Sequence, residues 1–180
     1  MIILMGLAGS GKSTQGQMLA KETGRVWLST GQMLRDSADV AVIESLNHGN
    51  MVPDEMIIPL VEQELAQIFA RGGDVVMDGF PRTAGQAKWL IENMMSRVEM
   101  VVRIIVPKAE LIHRMELRGR SDDQTIEVIE ERFRLTEQNI YSVCEVFRES
   151  GIKIMDVDGI GTVEEVHERI KQITIEVENE

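Results

Sequence analysis

The stretch Gly6-Leu7-Ala8-Gly9-Ser10-Gly11-Lys12-Ser13-Thr14 satisfies the spacing G-x-x-x-x-G-K-[ST] in full. Its chemistry is that of a phosphate cradle. Glycines let successive backbone N–H groups converge on one point, where side chains would block an incoming phosphate. The N-terminus of a following helix adds partial positive charge at the same spot. Lys12 supplies a mobile full charge for the β- and γ-phosphates, and the Ser13 hydroxyl is placed to ligate Mg²⁺. Asp78 ends the apolar run Val75-Val76-Met77. A carboxylate at the carboxyl end of such a strand is where Mg²⁺ is held in phosphate-loop proteins, so Asp78 is taken as a metal-site residue and not as a simple turn cap. Arg114 and Arg118 are four residues apart and share a helical face, and Gly119 lets Arg120 turn back toward the same point. A planar, permanently charged fork is the side chain suited to neutralising a phosphoryl group in transit.

These residues need strands to carry them and helices to separate the strands. Met1–Met5 is a short apolar run fit for a strand buried on both faces, and 15–23 reads as a helix closed by Gly24. The alternation continues: a strand at 26–28, a helix opened by Pro53-Asp54 and ended by Gly72-Gly73, a strand at 75–77, a helix from Thr83 to about Met95, and a strand at 101–106. Helix at 109–118, a long helix from about Asp123 to Glu149 and a fifth strand at 152–157 follow. The last helix opens on the capping box Thr162-x-x-Glu165 and carries Val163, Val166, Ile170, Ile173 and Val177 as its apolar face. This order predicts an α/β fold with a parallel sheet. Residues 30–58 and 118–122 fit poorly as sheet-covering elements and read as excursions from the core.

Composition narrows the function classes. In 180 residues there are 19 Lys and Arg against 30 Asp and Glu, a formal charge of −11, which argues against nucleic acid and acidic membranes as partners. A small phosphate ligand needs only a local cluster of cations. One cysteine, Cys144, excludes an internal disulfide and a multi-cysteine zinc site, so no zinc is expected. With no targeting segment visible, a cytoplasmic monomer is the expectation. The twelve methionines read as core filler, and His48, His113 and His167, which lack ligand spacing, read as surface residues.

With Asp78-Gly79-Phe80-Pro81-Arg82-Thr83 the sequence resembles the adenylate kinases. The blocks that carry the resemblance are that hexapeptide, Gly6 to Thr14, Ser29-Thr30-Gly31-Gln32-Met33-Leu34-Arg35, Gly49-Asn50-Met51-Val52-Pro53-Asp54-Glu55 and Arg118-Gly119-Arg120-Ser121-Asp122-Asp123. They occur in the family's order over nearly the whole chain. The resemblance implies one kinase domain, 1–180, of phosphate-loop three-layer α/β/α type with a five-stranded parallel sheet. It also implies a small monophosphate-binding subdomain at 30–58 and a very short lid at 118–122. The implied reaction is ATP + AMP ⇌ 2 ADP with Mg²⁺. By position, Gly9, Ser10, Gly11, Lys12, Ser13 and Thr14 would hold the ATP phosphates, with Arg114 and Gly161 at the ATP adenine. Thr30, Arg35, Asn50, Met51, Val52, Gly79, Phe80, Pro81, Arg82 and Gln86 would hold AMP. Lys12, Arg82, Arg118, Arg120 and Arg132 would act on the transferring group, and Ser13 and Asp78 would serve the metal.

The chain departs from the family's pattern in four places. Ala8 replaces a proline, Ser13 replaces a glycine, Gln32 replaces an aspartate, and the lid stretch is shorter than in the short-lid members. The stretch from Asp123 is also one residue longer than the family's pattern, which on a helix turns Arg132 by about 100°. Two other readings stand beside the first. One is a kinase for CMP, UMP or dAMP, which Thr30 and Gln86 discriminate. The other is a non-catalytic nucleotide sensor on the same fold. Gln86 can also be read as the partner of Thr83 in a capping box.

Overall fold

The computed structural model describes residues 1–36, 52–118 and 126–178. Five strands are paired throughout in parallel, in the order β2-β3-β1-β4-β5: β1 (Ile2–Met5), β2 (Val26–Ser29), β3 (Val75–Asp78), β4 (Met100–Ile105) and β5 (Lys153–Asp158). The helices between them are α1 (Lys12–Thr23), α2 (Thr30–Arg35), α3 (Asp54–Ala70), α4 (Ala84–Met94), α5 (Lys108–Arg118), α6 (Ile126–Glu149) and α7 (Val163–Glu178). The sheet class and each described strand agree with the sequence expectation. Most ends move by a residue or so, as helix and strand termini do; α1 begins at Lys12, three residues before the expected start, because it leads directly out of the glycine-rich loop. Of the expected 30–58 excursion, 37–51 lies outside the described residues, and so does most of the 118–122 lid.

Side chains of period two divide the core between the faces of the sheet. Ile3, Met5, Val75, Met77 and Val101 pack with Val61 and Leu65 of α3, Ala87 and Leu90 of α4, and Phe147 of α6. Ile2, Leu4, Val76, Met100, Val102 and Ile104 pack on the other face with Leu19 of α1, Leu111 and Met115 of α5, and Ile170 of α7. Helix α6 serves both. Ile129 and Phe133 belong to the second group, Val143 and Phe147 to the first. Its 24 residues span about 36 Å, enough to pass from one layer to the other.

One apolar assignment needs correction. Val163, expected on the inner face of the last helix, is 44% exposed. It is the first residue of α7, where the chain has not yet turned onto the sheet, and the buried stripe begins at Val166. The long helix conforms better: Ile129, Phe133 and Phe147 are buried.

The strand order fixes where a ligand can sit. The connection leaving β1 runs toward β2, and the one leaving its neighbour β3 runs toward β4, on the far side of β1. Connections that part in this way open a crevice at the carboxyl ends of the strands. β1 ends there in the glycine-rich loop, and β3 ends in Asp78, in register with Leu4 of β1 and Ser29 of β2.

Helix α1 must lie close on the sheet to bring its N-terminus to that crevice, and Gly16 permits it. A Cβ at Gly16 would stand 2.8 Å from Trp27 Nε1, 2.9 Å from Trp27 Cδ1 and 3.1 Å from Leu4 Cδ1. Helix propensity alone favours alanine over glycine by about 1 kcal/mol. Overpacking costs roughly 1–3 kcal/mol and acts in the opposite direction. Gly16→Ala should therefore lower stability in urea unfolding; an unchanged or raised midpoint would show that Trp27 can move aside.

Candidate active site

Backbone conformation builds the phosphate cradle. Gly9 and Gly11 hold φ of +82° and +92°, in the left-handed region that side chains avoid, and Gly11 is the N-cap of α1. Ser10 N donates to Leu7 O at 3.2 Å and Gln15 N to Gly11 O at 3.0 Å, so the loop folds back and leads straight into the helix. Lys12 Nζ donates to Leu7 O at 2.8 Å, which places the ammonium over the loop itself. Ser13 Oγ donates to Asp78 Oδ2 at 2.6 Å. This bond joins the two strand ends at the crevice. Asp78 is 4% exposed, a carboxylate sunk at the sheet edge.

Arginines gather beside it. A Cβ placed on Gly31 would lie 3.5 Å from Arg35 Nη1 and 3.9 Å from Arg82 Nη2, so the two guanidinium groups flank one short helix. Arg82 Nε donates to Gly79 O at 2.7 Å, and Arg35 Nη2 to Gln32 Oε1 at 3.1 Å. The Arg82 pKa is lowered, chiefly by desolvation among its neighbours, although part of the side chain remains exposed. Asp78 opposes that shift, and the charges of Arg132 and Arg35 add to it. The charge of Arg132 is thus felt at Arg82 despite the extra residue upstream, and Ile129 and Phe133, which flank it on α6, are buried. Arg120, Asn50 and Met51 lie outside the described residues, as does the Arg118 side chain.

Beyond the cradle lies a cavity of ≈ 390 Å³ lined by Gly9, Ser10, Gly11, Thr14, Gln15, Glu110, Arg114, Gly159, Gly161, Thr162, Val163 and Val166. Arg114 and Gly161, taken from the sequence as base-binding residues, are both in its wall. Arg114 Nε is paired with Glu110 Oε1 at 2.7 Å, and its Nη2 donates to Gly159 O at 3.1 Å. Arg169 Nη1 donates to Asp158 O at 2.8 Å and to Ile160 O at 2.5 Å. Three successive carbonyls of the loop after β5 are therefore held by two arginines. The reciprocal bonds of the capping box are formed: Thr162 N to Glu165 Oε2 at 2.8 Å, and Glu165 N to Thr162 Oγ1 at 3.2 Å.

On the other side of the crevice the residues expected to hold a monophosphate divide into two kinds. Thr30 is 1% exposed, with Oγ1 donating to Asp78 O at 3.4 Å, and a Cβ on Gly79 would sit 2.7 Å from that oxygen. Val52 and Phe80 are core residues by burial, and Phe80 meets Trp89 edge to face at 6.1 Å. Pro81, in a cis peptide bond, is buried behind Phe80. Gln86 Oε1 accepts from Arg82 N at 2.6 Å, and Nε2 donates to Asp54 Oδ1 at 2.7 Å. Thr83 does cap α4 through Gln86 N, at 3.1 Å, but the Gln86 amide reaches one residue further back than a capping box requires.

Gln32 spends its amide along its own helix, on both Asp36 oxygens and Arg35. Among the described residues no group of three or more His, Cys, Asp or Glu side chains could hold a metal ion, and no helix is long and apolar enough to cross a membrane.

Sequence reasoning missed Asp54, Glu110 and Arg169, whose roles are contacts to distant residues with no motif of their own. It also misread His167. That ring is only 12% exposed and bonded on both nitrogens, to Gln15 and Glu22; His113 is on the surface as expected.

Asp54 is the hinge-pin of the Gln86 side, since Oδ2 accepts from Thr83 Oγ1 at 2.8 Å while Oδ1 takes the Gln86 amide. Asp54→Ala strands two polar groups, one of them buried. Stability should fall by about 2 kcal/mol, read as a lower urea midpoint at unchanged slope. No change would mean that water replaces the carboxylate without loss.

Comparison with known proteins places this site in context. Residues 4–152 match the family model described as adenylate kinase. An adenylate kinase of Thermus thermophilus is 36% identical over 183 aligned positions that cover 94% of this chain and 94% of that protein. One of Micrococcus luteus is 36% identical over 189 positions, covering 98% and 91%. One of Archaeoglobus fulgidus is 29% identical over 212 positions, covering 96% of each.

Proposed function

The chain belongs to the adenylate kinase family and is an ATP-dependent nucleoside monophosphate phosphotransferase, and on that premise we propose that its cleft runs ATP + AMP ⇌ 2 ADP with the two nucleotides on opposite sides of Asp78. The observation that carries the reading is the convergence of the Lys12 loop, Asp78 and the charges of Arg35, Arg82 and Arg132 at one sheet edge. ATP would lie with its phosphates in the Gly9–Thr14 cradle and its base in the cavity walled by Arg114 and Gly161. AMP would lie by Thr30, Arg35, Arg82 and Gln86. The Asn50-Met51-Val52 stretch would complete the 30–58 subdomain, and Arg118 and Arg120 a short lid at 118–122.

The acceptor's phosphate is already an anionic nucleophile, so no general base is required. What the protein must do is hold two polyanions in line and neutralise charge as it moves. Arg35 and Arg82 fix the acceptor phosphate, while Arg132, Arg118 and Arg120 meet the phosphoryl group in flight. Lys12 swings from the Leu7 carbonyl to the β- and γ-oxygens.

The Ser13 hydroxyl and the Asp78 carboxylate are hard oxygen donors that suit Mg²⁺. Among the described residues no group of three or more acidic, imidazole or thiol side chains could hold a metal ion, so phosphate oxygens and water would complete the set. Mg²⁺ bound there with ATP supplies charge neutralisation. Ser13 would contact it directly, and Asp78 would reach it through water.

AMP is preferred over the pyrimidine monophosphates because of what Gln86 has left to offer. A primary amide has two N–H donors and two acceptor lone pairs. Asp54 uses one donor and Arg82 N uses one lone pair, so one of each remains. That is the pair an adenine edge consumes in a bidentate contact, worth roughly 1–3 kcal/mol of discrimination. Thr30 adds shape on the other side of the ring.

Two measurements test the reading. In a coupled ADP-formation assay Lys12→Met should lose more than nine-tenths of turnover while keeping the wild-type circular dichroism. A residual rate above about a tenth, only ~1.4 kcal/mol of barrier, would refute the role of the loop. In the same assay kcat/KM for AMP should exceed that for CMP and UMP by at least ~100-fold, about 2.7 kcal/mol. Gln86→Leu should narrow the gap by harming AMP alone. A wild type that prefers CMP or UMP would move the assignment to another monophosphate, and one that binds nucleotides without turnover would make the chain a sensor.

A further inference from the structure

Behind the cavity assigned to the ATP base, helices α1 and α7 are tied together by a chain of side chains. Gln15 of α1 is 3% exposed, and its Nε2 donates to Val163 O at 2.8 Å. Both residues line the cavity, and Val163 closely follows Gly161. The imidazole of His167, one turn along α7, lies on the far side of the Gln15 amide. Its Nδ1 is 3.1 Å from Gln15 Oε1, and its Nε2 is 2.8 Å from Glu22 Oε2.

The orientation of Gln15 decides the state of the ring. Reversing the amide would set its oxygen against the Val163 carbonyl, two acceptors face to face, so Oε1 is the atom that faces His167. An oxygen there accepts, hence Nδ1 must donate. Nε2 faces a carboxylate, so it must donate as well. An imidazole that donates from both nitrogens is the imidazolium.

We propose that His167 is a positioning residue for the nucleotide donor site, and that its protonated form holds Gln15, and through it the start of α7, against the wall of the ATP cavity. The inference rests on the donor-site reading given above. A neutral ring can serve Gln15 or Glu22 but not both, because its second nitrogen then offers a lone pair to an acceptor. The strap loses one link when the proton leaves.

The charged groups facing the ring are Glu22 from α1 and, on α7, Lys171, which pairs with Glu22 at 2.9 Å and lies 3.7 Å from Glu168. Glu22 is held below its ordinary pKa first by Lys171 and then by His167, so it faces the ring as a carboxylate. Lys171 also keeps Glu22 partnered when His167 is neutral. The pH response therefore originates in the ring and not in the carboxylate.

The test is the pH dependence of ATP saturation at fixed, saturating AMP, over roughly pH 5 to 8, where imidazoles titrate. Three proteins are compared: wild type, His167→Gln, which cannot donate charge-assisted bonds in both directions, and His167→Arg, which donates at every pH. Taking wild-type values as a ratio to His167→Arg cancels the titration of ATP itself. KM for ATP in that ratio should rise about fivefold from the acidic to the basic end, a charge-assisted bond lost in part. The change should fall on KM and not on kcat, and His167→Gln should stay at the weak limit throughout.

In nitrogen-15 spectra of the wild type, where three histidines give a readable set, the His167 ring should carry two protons at the acidic end. It should lose one at the midpoint of the KM change. This arm does not depend on the variants folding. A ring that titrates with no change in KM, or a wild-type profile parallel to that of His167→Gln, overturns the proposal. If the donor-site reading itself were wrong, ATP would fail to saturate the wild type at any pH, and Lys12→Met would leave ATP affinity unchanged.

Discussion

Guanidinium groups brought together in a cleft repel one another, and the rest of this molecule is arranged around the counter-charge that permits it. Asp78 supplies that counter-charge. It raises the Arg82 pKa against the lowering effects of burial, Arg132 and Arg35, and at the same time accepts the Ser13 hydroxyl. Its position follows from the parallel sheet, since β3 lies between β1 and β2 and ends level with both. A carboxylate there balances the charges of the surrounding guanidinium groups. Arginine tolerates the crowding because it keeps its proton even when desolvated.

The two sides of the crevice are held in different ways. On the Gln86 side a side-chain amide is oriented by Asp54 and by the Arg82 backbone. On the cavity side backbone carbonyls are oriented by Arg114 and Arg169. Helix α6 crosses between the two halves of the core, and Arg132 stands on it between Ile129 and Phe133 of the second half.

Much of this was legible in the order of residues, and the reason is locality. The phosphate loop, its strand and its helix are contiguous, so spacing alone places Lys12 and Ser13 correctly. The strands are short apolar runs bounded by Gly, Pro or Asp, and parallel pairing buries them on both faces. What could not be read was contact between distant residues. Nothing near His167 in sequence announces Gln15 or Glu22, and nothing near Gln86 announces Asp54. Periodicity placed Val163 on the buried stripe of α7, but a helix's first turn can point off the sheet. Counting residues from Asp123 left the direction of Arg132 open, since one extra residue turns a helix by about 100°; the burial of Ile129 and Phe133 sets the phase that counting could not.

The loop that follows β5 illustrates how a surface can be shaped without its own side chains. Asp158, Gly159 and Ile160 offer carbonyls to Arg169 and Arg114, while the Ile160 side chain is 39% exposed. Gly159 has no such latitude: a Cβ there would lie 2.5 Å from Val106 Cγ2 and 2.6 Å from Ile104 Cγ2. Substitution at position 160 should be close to neutral, whereas loss of either arginine that pins the loop, 45 residues before Gly159 and 11 after Asp158, should let its carbonyls turn away. The loop's shape is therefore written in residues that are not in the loop.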